Sequence, residues 1–355
     1  MAPLVYPWDE APRPGQALAL RPGLHWLRMP LPFALDHINL WLLDDELGAQ
    51  AGFTQVDCGI ASDETRAAWQ QLFDTVFAGK PLLRLVATHF HPDHLGLAAW
   101  LAAGGDDGRW QAPLLMSDAE YLMGRVLSAG HDVSGEAMVA HFSRHGLAQS
   151  DTVMKVRERG GGYYQRWVPP LPASYQRLYE GDVLHIGCGA QRRQWRVIIG
   201  RGHSPAHACL YCEADRLLMA GDMVLPRIST NISVFDLEPE ANPLPRYLDS
   251  LRALRDLPAD TLVLPSHGLP FLGLHTRIDA QLAHHEQRLG EVLAACARWQ
   301  TAADIVAVLF ARPLDAHQSV FALGEALAHL HALWFDGQLV RNLGADGIYR
   351  FMAAT

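Results

Sequence analysis

The chain has 355 residues, of which 49% are hydrophobic and 19% charged, ordinary for a globular enzyme and enough for a large core with an appended module. A formal net charge of −9 argues against a general nucleic-acid binder, which needs clustered Lys and Arg against phosphate. No apolar run is long enough to span a bilayer, Met1–Gln16 lacks the apolar stretch of a secretory signal, and five scattered cysteines suit a reducing compartment; a cytoplasmic location is expected.

In chain order, Leu18–Leu20, His25–Met29, His37–Leu43 and Phe53–Asp57 read as antiparallel strands, and Glu64–Phe77 carries apolar positions at helical spacing. Leu82–Ala87 is an apolar run of the kind that forms a buried strand. It leads into Thr88-His89-Phe90-His91-Pro92-Asp93-His94, which sets three imidazoles and a carboxylate within six positions. Burying such groups together costs several kcal/mol unless something satisfies them, and a divalent metal does so. Asp93 and His94 fall near the start of a helix over Leu95–Leu101, and Pro113–Met116 reads as the next strand.

Residues 117–180 break this rhythm with helical segments and a Gly-rich stretch, and read either as a lid over the site or as a stabilising surface pair of helices. As a lid, the insertion would offer Tyr163, Tyr164 and Trp167 to a substrate. Its histidines His131, His141 and His145 read as surface or capping residues. Strands resume beyond residue 181. Trp195–Ile199 runs into a Gly-flanked turn presenting His203, and Leu217–Ala220 runs into Gly221-Asp222. Cys209 and Cys212, three apart on a strand, point to opposite faces and read as buried side chains rather than a zinc or redox pair. Arg227, on the loop after Asp222, either faces an anionic substrate group or forms an ordinary ion pair. An amphipathic helix over Pro243–Leu257 precedes the strand that ends at Ser266-His267-Gly268. Residues 275–298 form a long helix with His284 and His285 expected on its solvated face.

The tail reads as two helices, Thr301–Phe310 and Ser319–Phe335, followed by a β-hairpin over Leu339–Asn342 and Gly347–Phe351. Phe321, Leu323, Leu327, Leu330 and Leu333 form the expected buried stripe. Three arginines against five acids over residues 300–355 argue against DNA reading by this module, so packing or oligomerisation is its expected role. Four times the chain repeats strand, turn, candidate ligand, the pattern of strand ends converging on one site.

These marks together resemble the metallo-β-lactamase-fold hydrolase superfamily, and most closely the branches typified by glyoxalase II and by lactamase-like protein 2. They are Val56-Asp57-Cys58-Gly59 (the family usually has Thr at Cys58), His89 to His94, Gly202-His203-Ser204-Pro205-Ala206-His207, Gly221-Asp222 and Ser266-His267-Gly268. The resemblance implies an α+β, four-layer αββα sandwich over residues 1–298, carrying the 117–180 insertion, and a winged-helix-like module over 299–355. It implies two divalent metal ions, zinc foremost with iron or manganese as alternatives. His89, His91 and His203 would hold the first ion, and Asp93, His94 and His267 the second. Asp222 would bridge both, and Asp57 would orient the histidine loop without binding metal. Asp93 would also take the proton from the attacking water. His207 is read as structural. The activity implied is hydrolysis of an ester, thioester or lactone in a small-molecule substrate; a mononuclear iron persulfide dioxygenase and an RNA-processing nuclease are the alternatives. No nucleic acid and no membrane are expected as partners, and a homodimer is compatible with the tail.

Overall fold

In the computed structural model, residues 3–130, 135–147 and 162–354 are described. Alternation of apolar side chains builds the first sheet, of seven strands in the order β1 to β7: Ala17–Arg21, Leu24–Pro30, His37–Leu47, Gln50–Val56, Leu82–Val86, Leu114–Met116 and Gln176–Arg177. The first four strands pair antiparallel and the rest parallel. In β3, Ile38, Leu40 and Leu42 enter the outer core while Trp41 and Leu43 face the second sheet, as a period of two requires. Trp26 lies opposite Trp41 in register and stacks on it at 6.2 Å.

The second sheet has five strands in the order β12-β11-β10-β9-β8, namely Leu262–Pro265, Leu217–Gly221, His207–Cys212, Arg193–Gly200 and Val183–Ile186. On β10, Cys209 and Tyr211 face the outer core and Leu210 and Cys212 the space between the sheets. The two cysteines are buried and unpaired on opposite faces, as expected.

Helices cover both outer faces. Against the first sheet lie α1 (Asp63–Leu72), the short α2 (Pro92–Leu95), α3 (Ala98–Ala102) and α4 (Asp118–Ser128). The insertion adds α5 (Glu136–Phe142) and α6 (Tyr163–Trp167). Against the second sheet lie α7 (Pro243–Leu254), α8 (Leu274–Ala295), α9 (Ala302–Leu309) and α10 (Ala316–Phe335), with the hairpin β13–β14 (Leu339–Leu343, Tyr349–Ala353). The layers are therefore helix, sheet, sheet, helix, with a small C-terminal module on the second helical layer. Leu323, Leu327, Leu330 and Leu333 of the tail share one continuous core with Tyr247 and Ile278 of the preceding helices. Each such side chain contributes about 1.5–3 kcal/mol by leaving water.

Several local expectations change. The helix expected over Leu95–Leu101 is two short pieces. Pro92 opens the first and brings Asp93 and His94 inside it, because proline's fixed φ suits a helix's first turn. The helix after Ser62 turns into a wider π turn at Phe73–Phe77. Phe321 is exposed, whereas the rest of its stripe is buried. His285 is fully buried rather than solvated, wedged edge-on to Tyr247 and 3.4 Å from His329. His141 and His145 are buried too, edge-on to each other, with His145 stacked on Tyr349 of the tail. In all three cases the C-terminal module, whose docking a local reading does not reveal, covers the imidazole. His131 and the glycines at 160 and 161 lie outside the described residues.

Candidate metal centre

The site sits at one end of the sandwich, where β4, β5, β9, β11 and β12 deliver their C-terminal loops. Asp57, straight after β4, adopts φ 58°, a left-handed conformation that Asp tolerates better than most residues. From there its carboxylate accepts from the Thr88 amide (2.7 Å), the Thr88 hydroxyl (2.9 Å) and His94 Nδ1 (2.7 Å). Asp57 thus holds the histidine loop from behind.

The histidines are oriented by bonds made on the far side of each ring. His94 Nδ1 donates to Asp57, His203 Nδ1 donates to the Asn231 carbonyl (2.8 Å), and His267 Nδ1 donates to the His37 carbonyl (2.7 Å). The Thr88 hydroxyl, already donating to Asp57, accepts from His89 Nδ1 (3.0 Å). A carbonyl or carboxylate can only accept, so these bonds place the proton on Nδ1 and leave the Nε2 lone pair of each ring pointing inward.

Those lone pairs form two groups with the acids. His89 Nε2 lies 2.9 Å from His91 Nδ1 and 3.2 Å from His203 Nε2, and His203 Nε2 lies 3.4 Å from Asp222 Oδ2. In the second group Asp93 Oδ2 lies 3.6 Å from His94 Nε2 and 3.4 Å from His267 Nε2. Asp222 Oδ1 lies 3.5 Å from both of these imidazoles. One Asp222 oxygen therefore belongs to each group. Four ligands held 2.0–2.1 Å from a tetrahedral ion stand about 3.3 Å apart, the spacing found here. His94 Nε2 and Asp222 Oδ1 are buried without a hydrogen-bond partner. Buried orphans of this kind normally have an unseen partner, and these donor sets could hold a divalent cation that would supply it.

The electrostatics agree. Burial alone lowers an imidazole, and it holds His91 at about 3, helped by His203. Burial presses on His267 as well, yet Asp222 and Asp93 lift it to about 10. In His94 burial is likewise outweighed, by Asp93, Asp57 and Asp222, and the ring is raised well above its ordinary value. Without ions the second group takes up protons, so the pocket demands positive charge.

Two supports were invisible locally. Glu120, on α4, is fully buried. One of its oxygens accepts from the Phe90 amide (3.0 Å), and the other from the Ser204 hydroxyl (2.7 Å) and the Ala206 amide (2.6 Å). It ties the His89–His91 loop to the His203 turn; burial, only partly offset by those bonds, raises its pKa. An acid in the first turn of a helix reads as a surface helix former, and only the partners show otherwise. The second support is Gly221, at φ 51°, where a Cβ would stand 2.2 Å from His207 Nε2. That close approach lets His207 Nε2 accept from the Asp222 amide at 3.2 Å, a structural part.

The expected substrate contacts divide. The Tyr164 hydroxyl donates to the Phe90 carbonyl at 2.5 Å, and with Glu120 on the amide it clamps the residue between two candidate ligands from both sides. Trp167 lies edge-on to Phe33, its carbonyl accepts from Ala61, and its indole N–H is buried without a partner. Tyr163 is half-buried, and Arg227 is exposed on the loop after Asp222. Among the described residues no helix is long and apolar enough to cross a membrane.

The comparisons with known proteins give the family. The family model described as metallo-beta-lactamase superfamily matches residues 56–267, and a model of a metallo-beta-lactamase-like C-terminal domain matches residues 289–354. A beta-lactamase domain protein from Burkholderia ambifaria is 53% identical, with a TM-score of 0.90 over 99% of this chain and 97% of that one. Among curated proteins, "Probable metallo-hydrolase YqjP" of Bacillus subtilis is 22% identical over 75% of this chain and 78% of its own length. A more distant relative, the atrochrysone carboxyl ACP thioesterase of Aspergillus fumigatus, is 24% identical over 42% of this chain, which spans 47% of that protein. Two donor groups sharing one aspartate at the loop end of an αββα sandwich, together with a family match across most of the chain, mean that the protein belongs to the metallo-beta-lactamase superfamily.

Proposed function

We propose that the chain is a dinuclear metal-dependent hydrolase of an ester, thioester or lactone carbonyl. The observation that carries the reading is the division of the Asp222 carboxylate, one oxygen in each donor group. His89, His91 and His203 would hold the first ion, Asp93, His94 and His267 the second, and zinc suits this nitrogen and oxygen donor set, with iron or manganese as substitutes. When bound, such a pair of ions lowers the pKa of water to near neutrality and polarises the carbonyl under attack.

The chain's own groups do the rest. Asp93, half-buried and 3.4 Å from His267, has a second carboxylate oxygen with which to accept the proton of the attacking water. The far-side hydrogen bonds keep the protons of His89, His94, His203 and His267 on Nδ1, so none of these four rings has to change tautomer before reaction. Glu120 and Tyr164 fix the peptide between His89 and His91 and so fix the angle between those two rings. A thioester is the form of substrate that the thioesterase relative favours.

The test is a panel of acyl thioesters, aryl esters and lactones assayed with metal-stripped protein and after restoring zinc, manganese or iron. Turnover of one acyl class, lost on stripping and regained with a single metal, supports the reading. One firmly held iron with oxygen uptake on a persulfide would replace it.

A further inference from the structure

The C-terminal module reaches the metal centre through a short run of the loop that follows Asp222. Asn231 supplies the carbonyl that receives the proton of His203 Nδ1. Three residues later the loop is fastened to α10: the Val234 amide donates to the Gly324 carbonyl at 3.1 Å. Gly324 has no Cβ for a reason, since one would stand 2.6 Å from the Ser233 hydroxyl and 2.7 Å from its Cβ. Ser233 in turn donates to the Asn231 side-chain oxygen at 2.7 Å. The other end of that amide donates to the Glu325 carboxylate, a bond that favours the charged acid, while burial raises Glu325 to about 7. Ile232 and Val234, alternating with these polar residues, are fully buried in the core shared with Leu323 and Leu327.

We propose that Glu325 and Gly324 of the C-terminal module are positioning residues for His203: they seat the 231–234 run so that the Asn231 carbonyl holds the ring with Nε2 facing the first donor group. The tail is then part of the metal centre. A side chain amide that both accepts from Ser233 and donates to Glu325 has its orientation fixed, and its backbone carbonyl is fixed with it. The inference rests on His203 being a ligand in the reading above for its consequence, though not for its geometry.

The experiment compares the full-length parent with Glu325→Gln, Glu325→Leu and Gly324→Ala, and with Leu339→Ala as a control that opens the same core at the hairpin. Two quantities are read: the His203 tautomer in the metal-free chain by nitrogen-15 histidine spectra, and zinc affinity by competition with a chelator. Glu325→Leu and Gly324→Ala are expected to mix the His203 tautomers and to weaken the tighter or looser of two zinc steps about tenfold, leaving the other within twofold. Glu325→Gln keeps an oxygen acceptor and is expected to match the parent. Leu339→Ala is expected to lower thermal stability and leave the tautomer unchanged. A single Nδ1-protonated His203 in Glu325→Leu and Gly324→Ala overturns the proposal, as does an equal mixing in Leu339→Ala. A parent that binds no zinc defeats the hydrolase reading instead, and the tautomer spectra still decide the positioning.

Discussion

His89, His94, His203 and His267 share burial with His141, His145, His285, His329 and His331, and the two populations differ in what surrounds their nitrogens. In the second population His141 donates to the Val234 carbonyl and His331 to the Ala241 carbonyl, again fixing one nitrogen from outside. The remaining nitrogens, His141 Nε2, His145 Nδ1, His331 Nε2 and His285 Nε2, are orphaned, as in the metal centre. What is missing is convergence and charge. Among the described residues only the two groups at the loop end bring three or more donor atoms within 4.8 Å, and only there do Asp93 and Asp222 lie between the rings. Burial pushes His141 to about 4 and His145 to about 3, so these rings stay neutral. Carboxylates placed among the lone pairs, rather than buried imidazoles by themselves, make the difference between a packing device and a cation site.

The comparison is broken most directly at Asp222. Asp222→Ala should lose about 10⁴-fold in turnover, because the one side chain shared by both groups is gone; steady-state kinetics on whichever substrate the panel yields will check this. A loss of less than tenfold would put the metal centre on the packing side. Next in size is Glu120. Glu120→Leu strips the Phe90 and Ala206 amides of their buried acceptor and should cost about 3 kcal/mol, read from urea midpoints. Glu120→Gln, which keeps one acceptor oxygen, should cost visibly less.

The neutral histidines sharpen the other side of the comparison through pH. A histidine whose folded pKa is depressed contributes full stability above its unfolded value near 6.5 and loses it as pH falls toward the folded value. For His145 the window runs from about 6.5 down to about 3, which amounts to about 2 kcal/mol lost by pH 5. His145→Phe, which keeps the stack on Tyr349, should therefore lose less stability between pH 7.5 and pH 5 than the parent by that amount. Parallel pH curves for the two proteins would contradict a buried neutral ring. Smallest is Asp57→Asn. It keeps the shape but replaces one of the two carboxylate oxygens behind Thr88 and His94 with an N–H donor, and zinc binding at the second group should weaken about tenfold with little change in fold stability; chelator competition and urea midpoints on the same samples separate the two effects.

The sequence made the strand-turn-ligand grammar legible because each element is short and local. An apolar run predicts the strand, a glycine the turn, and a His or Asp stands next in line. The convergence of His89 to His94, His203, Asp222 and His267 on one place follows from that, whereas the αββα layering was implied by the family resemblance. The support of the site was not legible, since it depends on partners far along the chain. Glu120 reaches Ala206, Asn231 receives His203, and Glu325 holds Asn231, and nothing near any of these residues marks the contact. His141, His145 and His285 were misplaced for the same reason: a helical histidine reads as solvated until another helix is laid over it. Pro92 shows the local limit, where a residue usually read as a helix breaker starts the turn that carries Asp93 and His94.

The most direct test of the account is to locate the ions by anomalous X-ray scattering in crystals of the parent protein grown with zinc. The account predicts two peaks per chain, one within the His89, His91 and His203 group and one within the Asp93, His94 and His267 group, each contacted by a different oxygen of Asp222, with none at His141, His145, His285 or His331. A single peak, or a peak among those other histidines in place of the Asp222 pair, would contradict it.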